Sequence, residues 1–142
     1  QGAGGVMYFA SHNSLQQIRV FTWPEATNQI SQFDINVSPW SAGQYTAPCT
    51  DGTDWMSRCD SRMTGGYVVP GEVGFMWTAN QRADRPFPYV RVVRLSDAAT
   101  PTLLSQTDIF NSNYAYGYAD ASPNAAGEIG IGLYRGGGAQ TP

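Results

Sequence analysis

Val90-Arg91-Val92-Val93 and Ser105-Gln106-Thr107-Asp108-Ile109 decide the fold, because each has an earlier counterpart in the same order, Ile18-Arg19-Val20-Phe21 and Ser31-Gln32-Phe33-Asp34-Ile35. Self-similarity of this kind identifies a repeated supersecondary unit before any element is assigned. The first pair is offset by 72 residues and the second by 74, so the later copy carries two extra residues at Ala98-Ala99-Thr100-Pro101. That segment reads as a turn, where insertions cost little. A second family joins Gly71-Glu72-Val73-Gly74-Phe75 to Gly127-Glu128-Ile129-Gly130-Ile131, with Gly5-Val6-Met7-Tyr8-Phe9 as a looser third member.

Working outward from these anchors, alternation of apolar and polar residues predicts strands near Gly5 to Ser11, Gln17 to Trp23 and Gln32 to Val37. Four more are predicted near Thr64 to Val69, Val73 to Ala79, Tyr89 to Leu95 and Leu103 to Phe110, and two near Tyr116 to Ala121 and Glu128 to Tyr134. No stretch sustains an i, i+3, i+4 pattern without Gly or Pro intervening, so little or no helix is expected. The chain is read as one β-repeat region over residues 1–142. It divides into a partial unit (1–40), a stapled loop (41–63), a complete unit (64–113) and a second partial unit (114–142).

A tandem unit of four antiparallel strands is the sequence form of a β-propeller blade, here in an incomplete ring. The alternative is an antiparallel β-sandwich, for which 142 residues and nine strands would suffice. The segments Arg85-Pro86-Phe87-Pro88-Tyr89-Val90-Arg91-Val92-Val93-Arg94 and Tyr116 to Gly138 resemble sialidase-like bacterial extracellular β-propellers. The chain departs from that family at its Asp-box, S-x-D-x-G-x-x-W in outline. Asp51-Gly52-Thr53-Asp54-Trp55 only approaches it, with the glycine displaced. The three Arg, the acid and the Tyr-Glu pair of a sialidase have no residue-by-residue match here.

Composition removes other classes. Hydrophobic residues make up 42% of the chain, enough for a core. All eight basic residues are Arg, scattered along a chain of net charge −3, which lacks the dense basic footprint of a nucleic-acid binder. No apolar run approaches the length of a membrane-spanning helix. Cys49 and Cys59 stand among Pro, Asp-Gly and polar residues, a setting that predicts a local disulfide and, with Gln1 at the start, a secreted or surface location. The single His12 is remote from both cysteines, so no zinc site is read and no cofactor is implied.

Up-and-down strand order would gather alternate connections on one face of the repeat. These are Ser11-His12-Asn13-Ser14, the long Ser38 to Arg62 segment, Asn80 to Arg85 and Arg135-Gly136-Gly137-Gly138. That face supplies the candidate binding residues Trp55, Arg58, Asp60, Arg62, Asn80, Arg82, Arg85 and Arg135. Such types hydrogen-bond sugar hydroxyls or carboxylates and stack on apolar ring faces, so the expected ligand is a glycan. Asp60 with Arg62 reads first as a structural ion pair. Glu72 and Glu128, at matched places, read as turn chemistry, Asp51-Gly52-Thr53-Asp54 as an Asx-type turn, and Trp23, Trp40, Trp77, Tyr116 and Tyr118 as core. The alternatives to a binding protein are a sialidase-like hydrolase fragment and a protein that associates, with itself or with other segments of a longer chain, through open blade edges.

Overall fold

The computed structural model describes residues 5–139. It is all-β, with nine strands and no helix among those residues: β1 (Val6–Ser14), β2 (Gln17–Pro24), β3 (Ser31–Asn36), β4 (Met63–Val69), β5 (Glu72–Ala79), β6 (Tyr89–Leu95), β7 (Leu103–Ile109), β8 (Ala115–Pro123) and β9 (Ile129–Gly136). Sequence neighbours pair antiparallel, giving a first sheet β1-β2-β3, a second β4-β5-β6-β7 and a third β8-β9. Among the described residues the sheets do not close into a ring. Every expected strand is present, and β6 has the boundaries predicted for it.

Face-to-face packing follows from the period-two alternation of strand side chains. Ile18 and Val20 of β2 point from the first sheet onto Val73, Phe75 and Trp77 of β5 and Val93 and Leu95 of β6, all buried. The intervening residues Met76, Val90 and Val92 point the other way, onto Ala119 of β8 and the partly buried Ile129 and Leu133 of β9. The second sheet is thus covered on both faces, which is why β5 and β6 read as nearly continuous apolar runs. Full burial of such side chains stabilises by about 1.5–3 kcal/mol each.

The repeat is preserved in space. Met7, Phe9, Phe21 and Trp23 share the outward face of the first sheet, with Met7 paired to Trp23 and Phe9 to Phe21. Their counterparts in the second sheet are Val73, Phe75, Val93 and Leu95, likewise paired as Val73 with Leu95 and Phe75 with Val93. The second set lies beneath the first sheet, whereas nothing among the described residues covers the first set, and Met7 is 58% exposed. Trp23, expected in the core, is therefore 39% exposed, with its indole N–H donated to Asn28 Oδ1 at 2.8 Å.

Backbones approach closely where β4 meets β8. A Cβ at Gly65 would stand 2.7 Å from the Ala119 carbonyl oxygen, so only glycine fits there. Thr64 Oγ1 donates to the same carbonyl at 2.9 Å, tying the two sheets together at this crossing.

Candidate functional site

The connections that the sequence assigns to one face share an end of the strands with the β7–β8 connection, residues 110–114, which that reading did not include, and their local structure differs from expectation in two places. His12, Asn13 and Ser14 belong to β1, and the turn to β2 is Leu15-Gln16. The strand extends because His12 has a cross-strand partner in Ile18 and its ring enters the core, 4.6 Å from the Trp40 ring and 4.9 Å from that of Trp77. The second difference concerns the thiols.

Cys49 and Cys59 are both free. The loop between them needs no covalent staple. Cys49 N–H donates to the Thr53 carbonyl at 2.8 Å, Cys59 N–H to the Met56 carbonyl at 2.8 Å, and the Asp54 carboxylate accepts from the Ala47 and Met56 N–H groups at 2.8 and 3.2 Å. Thr53 N–H closes on Asp51 Oδ1 at 2.9 Å, the Asx-type turn expected from Asp51-Gly52. Cys49 is buried at the first corner of this turn, while Cys59 packs with Trp55 and Met56 and its thiol reaches the Asp60 carbonyl at 3.6 Å. Burial raises the Cys59 pKa.

The long segment from Val37 to Arg62 is stitched across the strand ends. Trp40 N–H donates to the Leu15 carbonyl at 3.1 Å, Asn80 N–H to that of Ser41 at 2.8 Å and Asn80 Nδ2 to that of Gln44 at 3.0 Å. The Tyr45 hydroxyl donates to the Thr78 carbonyl at 2.9 Å. Among the candidate residues, Asn80 therefore anchors the loop rather than facing solvent.

The arginines are engaged in the same way. Arg82 donates to Asp84 Oδ2 at 3.0 Å and to the Pro39 carbonyl at 3.1 Å. Arg85 donates to Asp84 Oδ2 at 2.9 Å, and its guanidinium lies 3.7 Å from the Phe110 ring centroid. The ion pairs of Asp84 hold its carboxyl below the usual carboxylate range, Arg82 first among them. Asp60 pairs with Arg62 at 2.5 Å, as an ion-pair reading of the sequence predicts. Arg58 is exposed, and Arg135 lies on another strand, 5.4 Å from the Tyr114 ring. Arg82 and Arg85 thus share Asp84, Arg62 pairs with Asp60, and Arg58 and Arg135 stand elsewhere, so the candidate arginines do not converge on one anion site.

A different arrangement is brought together at the third sheet. Trp55 lies against Gly136, where a Cβ would stand 2.7 Å from the indole Nε1. The Trp55 ring is 5.9 Å from that of Tyr118, which is 6.4 Å from that of Tyr134. Tyr118 and Tyr134 are 37% and 69% exposed. Tyr118 occupies a bulge in the β8–β9 pairing at φ 53, in the left-handed region that costs a side chain about 1–2 kcal/mol. Its pKa is raised by partial burial and by the neighbouring Cys59 and Asp60. Trp55, Tyr118 and Tyr134 thus form a row of three aromatic rings. Of these only Trp55 is among the sequence candidates; Tyr118 and Tyr134 were hidden because an alternating strand pattern places such residues in a core, although Gly117, directly before Tyr118 where the register shifts, is the in-strand glycine that marks the bulge.

No helix among the described residues is long and apolar enough to cross a membrane. Comparison of the chain with protein-family models, with curated proteins and with solved structures returns no match.

Proposed function

We propose that the chain is a ligand-binding protein of propeller-type repeat architecture, akin to the sialidase-like extracellular propellers, that recognises glycan on the aromatic row Trp55, Tyr118 and Tyr134. The observation that carries this reading is the strained placement of Tyr118. Backbone strain persists where the surroundings over-determine it, and it concentrates at binding and catalytic sites. Here it turns a tyrosine of a packed sheet toward solvent, between a tryptophan and a second exposed tyrosine. Rings of this kind offer apolar area with a polar edge, suited to the alternating apolar faces and hydroxyls of a pyranose. Asp60, paired with Arg62 and 44% exposed at its side chain, offers a further acceptor for hydroxyls. The four-strand succession β4-β5-β6-β7, flanked by sheets that repeat parts of it, supports the propeller-type architecture.

Binding is preferred to hydrolysis because Arg82 and Arg85, the groups best placed to clamp a carboxylate, are already paired with Asp84. With both thiols free, a bridge no longer speaks for an oxidising compartment, and what is proposed is an activity rather than a location. The test is a glycan array screen of the purified chain, followed by titration of any hit against wild type, Tyr118→Gly and Tyr134→Ala. Glycine at 118 keeps the left-handed backbone while removing the ring, so the variant is expected to fold and to lose binding. An array without hits, or hits whose affinity is unchanged in both variants, would sink the proposal.

A further inference from the structure

The outer edge of β1 is unpaired among the described residues. The corresponding edge of β5 is taken by β4, and that of β9 by β8. Beside the free edge runs a groove of about 940 Å³, lined along one wall by Val6 to Ala10 of β1 and along the other by Met63 to Val68 of β4. Met7, Phe9 and Trp23 open onto it, and their counterparts Val73, Phe75 and Leu95 are 1%, 6% and 0% exposed. A free strand edge beside apolar surface is a template for strand addition, in which backbone hydrogen bonds give affinity and alternate side chains give selectivity.

We propose that this edge accepts an extended segment of the β4 pattern, a strand carrying a glycine pair followed by an aromatic residue. The occupant is specified by continuity with contacts already in the molecule. In the second sheet the place beside β5 is filled by Met63-Thr64-Gly65-Gly66-Tyr67-Val68-Val69, paired from Val69 with Glu72 to Met63 with Trp77. Gly65 is where the next sheet's backbone crosses it, and the Tyr67 ring lies over Gly74, whose Cβ would stand 2.1 Å from it. A strand added to β1 meets the same demands one unit earlier: it pairs with β1 on one side and has β4 crossing it on the other, which requires glycine at the crossing. A second copy stacking head to tail fits less well. The side of β9 away from the second sheet carries Gly130, Gly132 and Tyr134 in place of the Ile and Val that the first sheet presents to the second. The acceptor edge depends on the repeat and not on the aromatic row, so loss of either leaves the other standing.

A fluorescently labelled peptide of residues Arg62 to Pro70, titrated into the intact chain and followed by anisotropy, tests this. Saturable one-to-one binding is expected, weakened about tenfold or more when both peptide glycines are replaced by valine. Binding should likewise be lost in the Phe9→Arg chain, whose far-UV circular dichroism is expected to match wild type because Phe9 lies on the open face. The proposal is overturned by an absence of binding up to about 1 mM peptide, by equal binding of the valine peptide, or by binding that survives Phe9→Arg. A native mass that rises with concentration for the chain alone, and falls back to monomer in Phe9→Arg, would assign the edge to a second copy and overturn it as well.

Discussion

Arg91 and Asp108 face each other across β6 and β7 as a buried, two-pronged ion pair, with Nε to Oδ1 at 2.7 Å and Nη2 to Oδ2 at 3.1 Å. Their side chains are 3% and 10% exposed, and Arg91 Nη1 also donates to the Ser38 carbonyl at 2.5 Å. Arg19 and Asp34 are the same pair one unit earlier, with the same cross-strand register and a 2.7 Å contact, but at 32% and 36% exposure. One chemical motif therefore stands in two dielectric environments. Removing one partner of a buried pair strands the other charge and costs about 3–5 kcal/mol, whereas an exposed pair is screened by water. Asp108→Ala is expected to lower unfolding free energy by that amount, and Asp34→Ala by a small fraction of it, measured by urea denaturation of both variants. Equal losses would refute the assignment of burial to one pair only.

Both thiols should be countable. Intact mass under denaturing, non-reducing conditions is expected to show two reduced cysteines, and dithiothreitol should leave the melting temperature unchanged. Because burial raises the Cys59 pKa, its alkylation in the folded chain should be slow at neutral pH and accelerate above the ordinary thiol range. A mass lower by the two hydrogens of a disulfide would contradict the loop described above.

His12 gives stability a dependence on pH. Its Nε2 lies 2.7 Å from the Ser61 carbonyl, so the neutral ring carries its proton there, and the buried Nδ1 has no partner. Desolvation lowers its pKa below the unfolded value of about 6.5. Between the two values the unfolded chain binds more protons, so this contribution is complete above about pH 6.5 and is lost as pH falls through the folded pKa. Unfolding free energy measured from about pH 7.5 down to 5 should decline, and His12→Gln should flatten that decline. The arginine-paired Asp34, Asp60, Asp84 and Glu72, whose pKa values are lowered, lose their contributions only at more acidic pH, below the ordinary carboxylate range. A slope that persists in His12→Gln would assign the effect elsewhere.

Gly65→Ala tests the crossing of β4 and β8. The added methyl would meet a backbone oxygen and not a movable side chain, so about 1–3 kcal/mol of destabilisation is expected. Gly132→Ala, where nothing lies within 4 Å of the added carbon, serves as the control and should be close to neutral. Thermal melts of the two variants decide the matter.

The strands were legible because their signal is local: β6 is Tyr-Val-Arg-Val-Val-Arg-Leu, and its pairing with β7 follows from the same repeat that pairs β2 with β3. The Arg-Asp register was likewise implicit in the two offsets. Less was readable wherever the outcome depends on partners distant in sequence. Arg82 looks like a free cation until Pro39 and Asp84 are placed around it. Two cysteines ten residues apart look like a staple until Asp54 is seen closing the loop by itself. Trp23 and Trp77 occupy similar alternating strands, and only the presence or absence of a neighbouring layer makes one half-exposed and the other buried.

The two-sided cover of the β5–β6 hairpin also sets an order of opening. The first and third sheets each rest on one face of it and can swing away singly, exposing one interface; the hairpin cannot open without dissolving both. Amide protons of Phe75 to Trp77 and Val90 to Val93 should therefore exchange with solvent only through global unfolding, while those of β1 and β9 exchange through smaller, independent excursions. The chain is in this sense a clasp with two leaves, and its cooperative unit is the hinge pin between them.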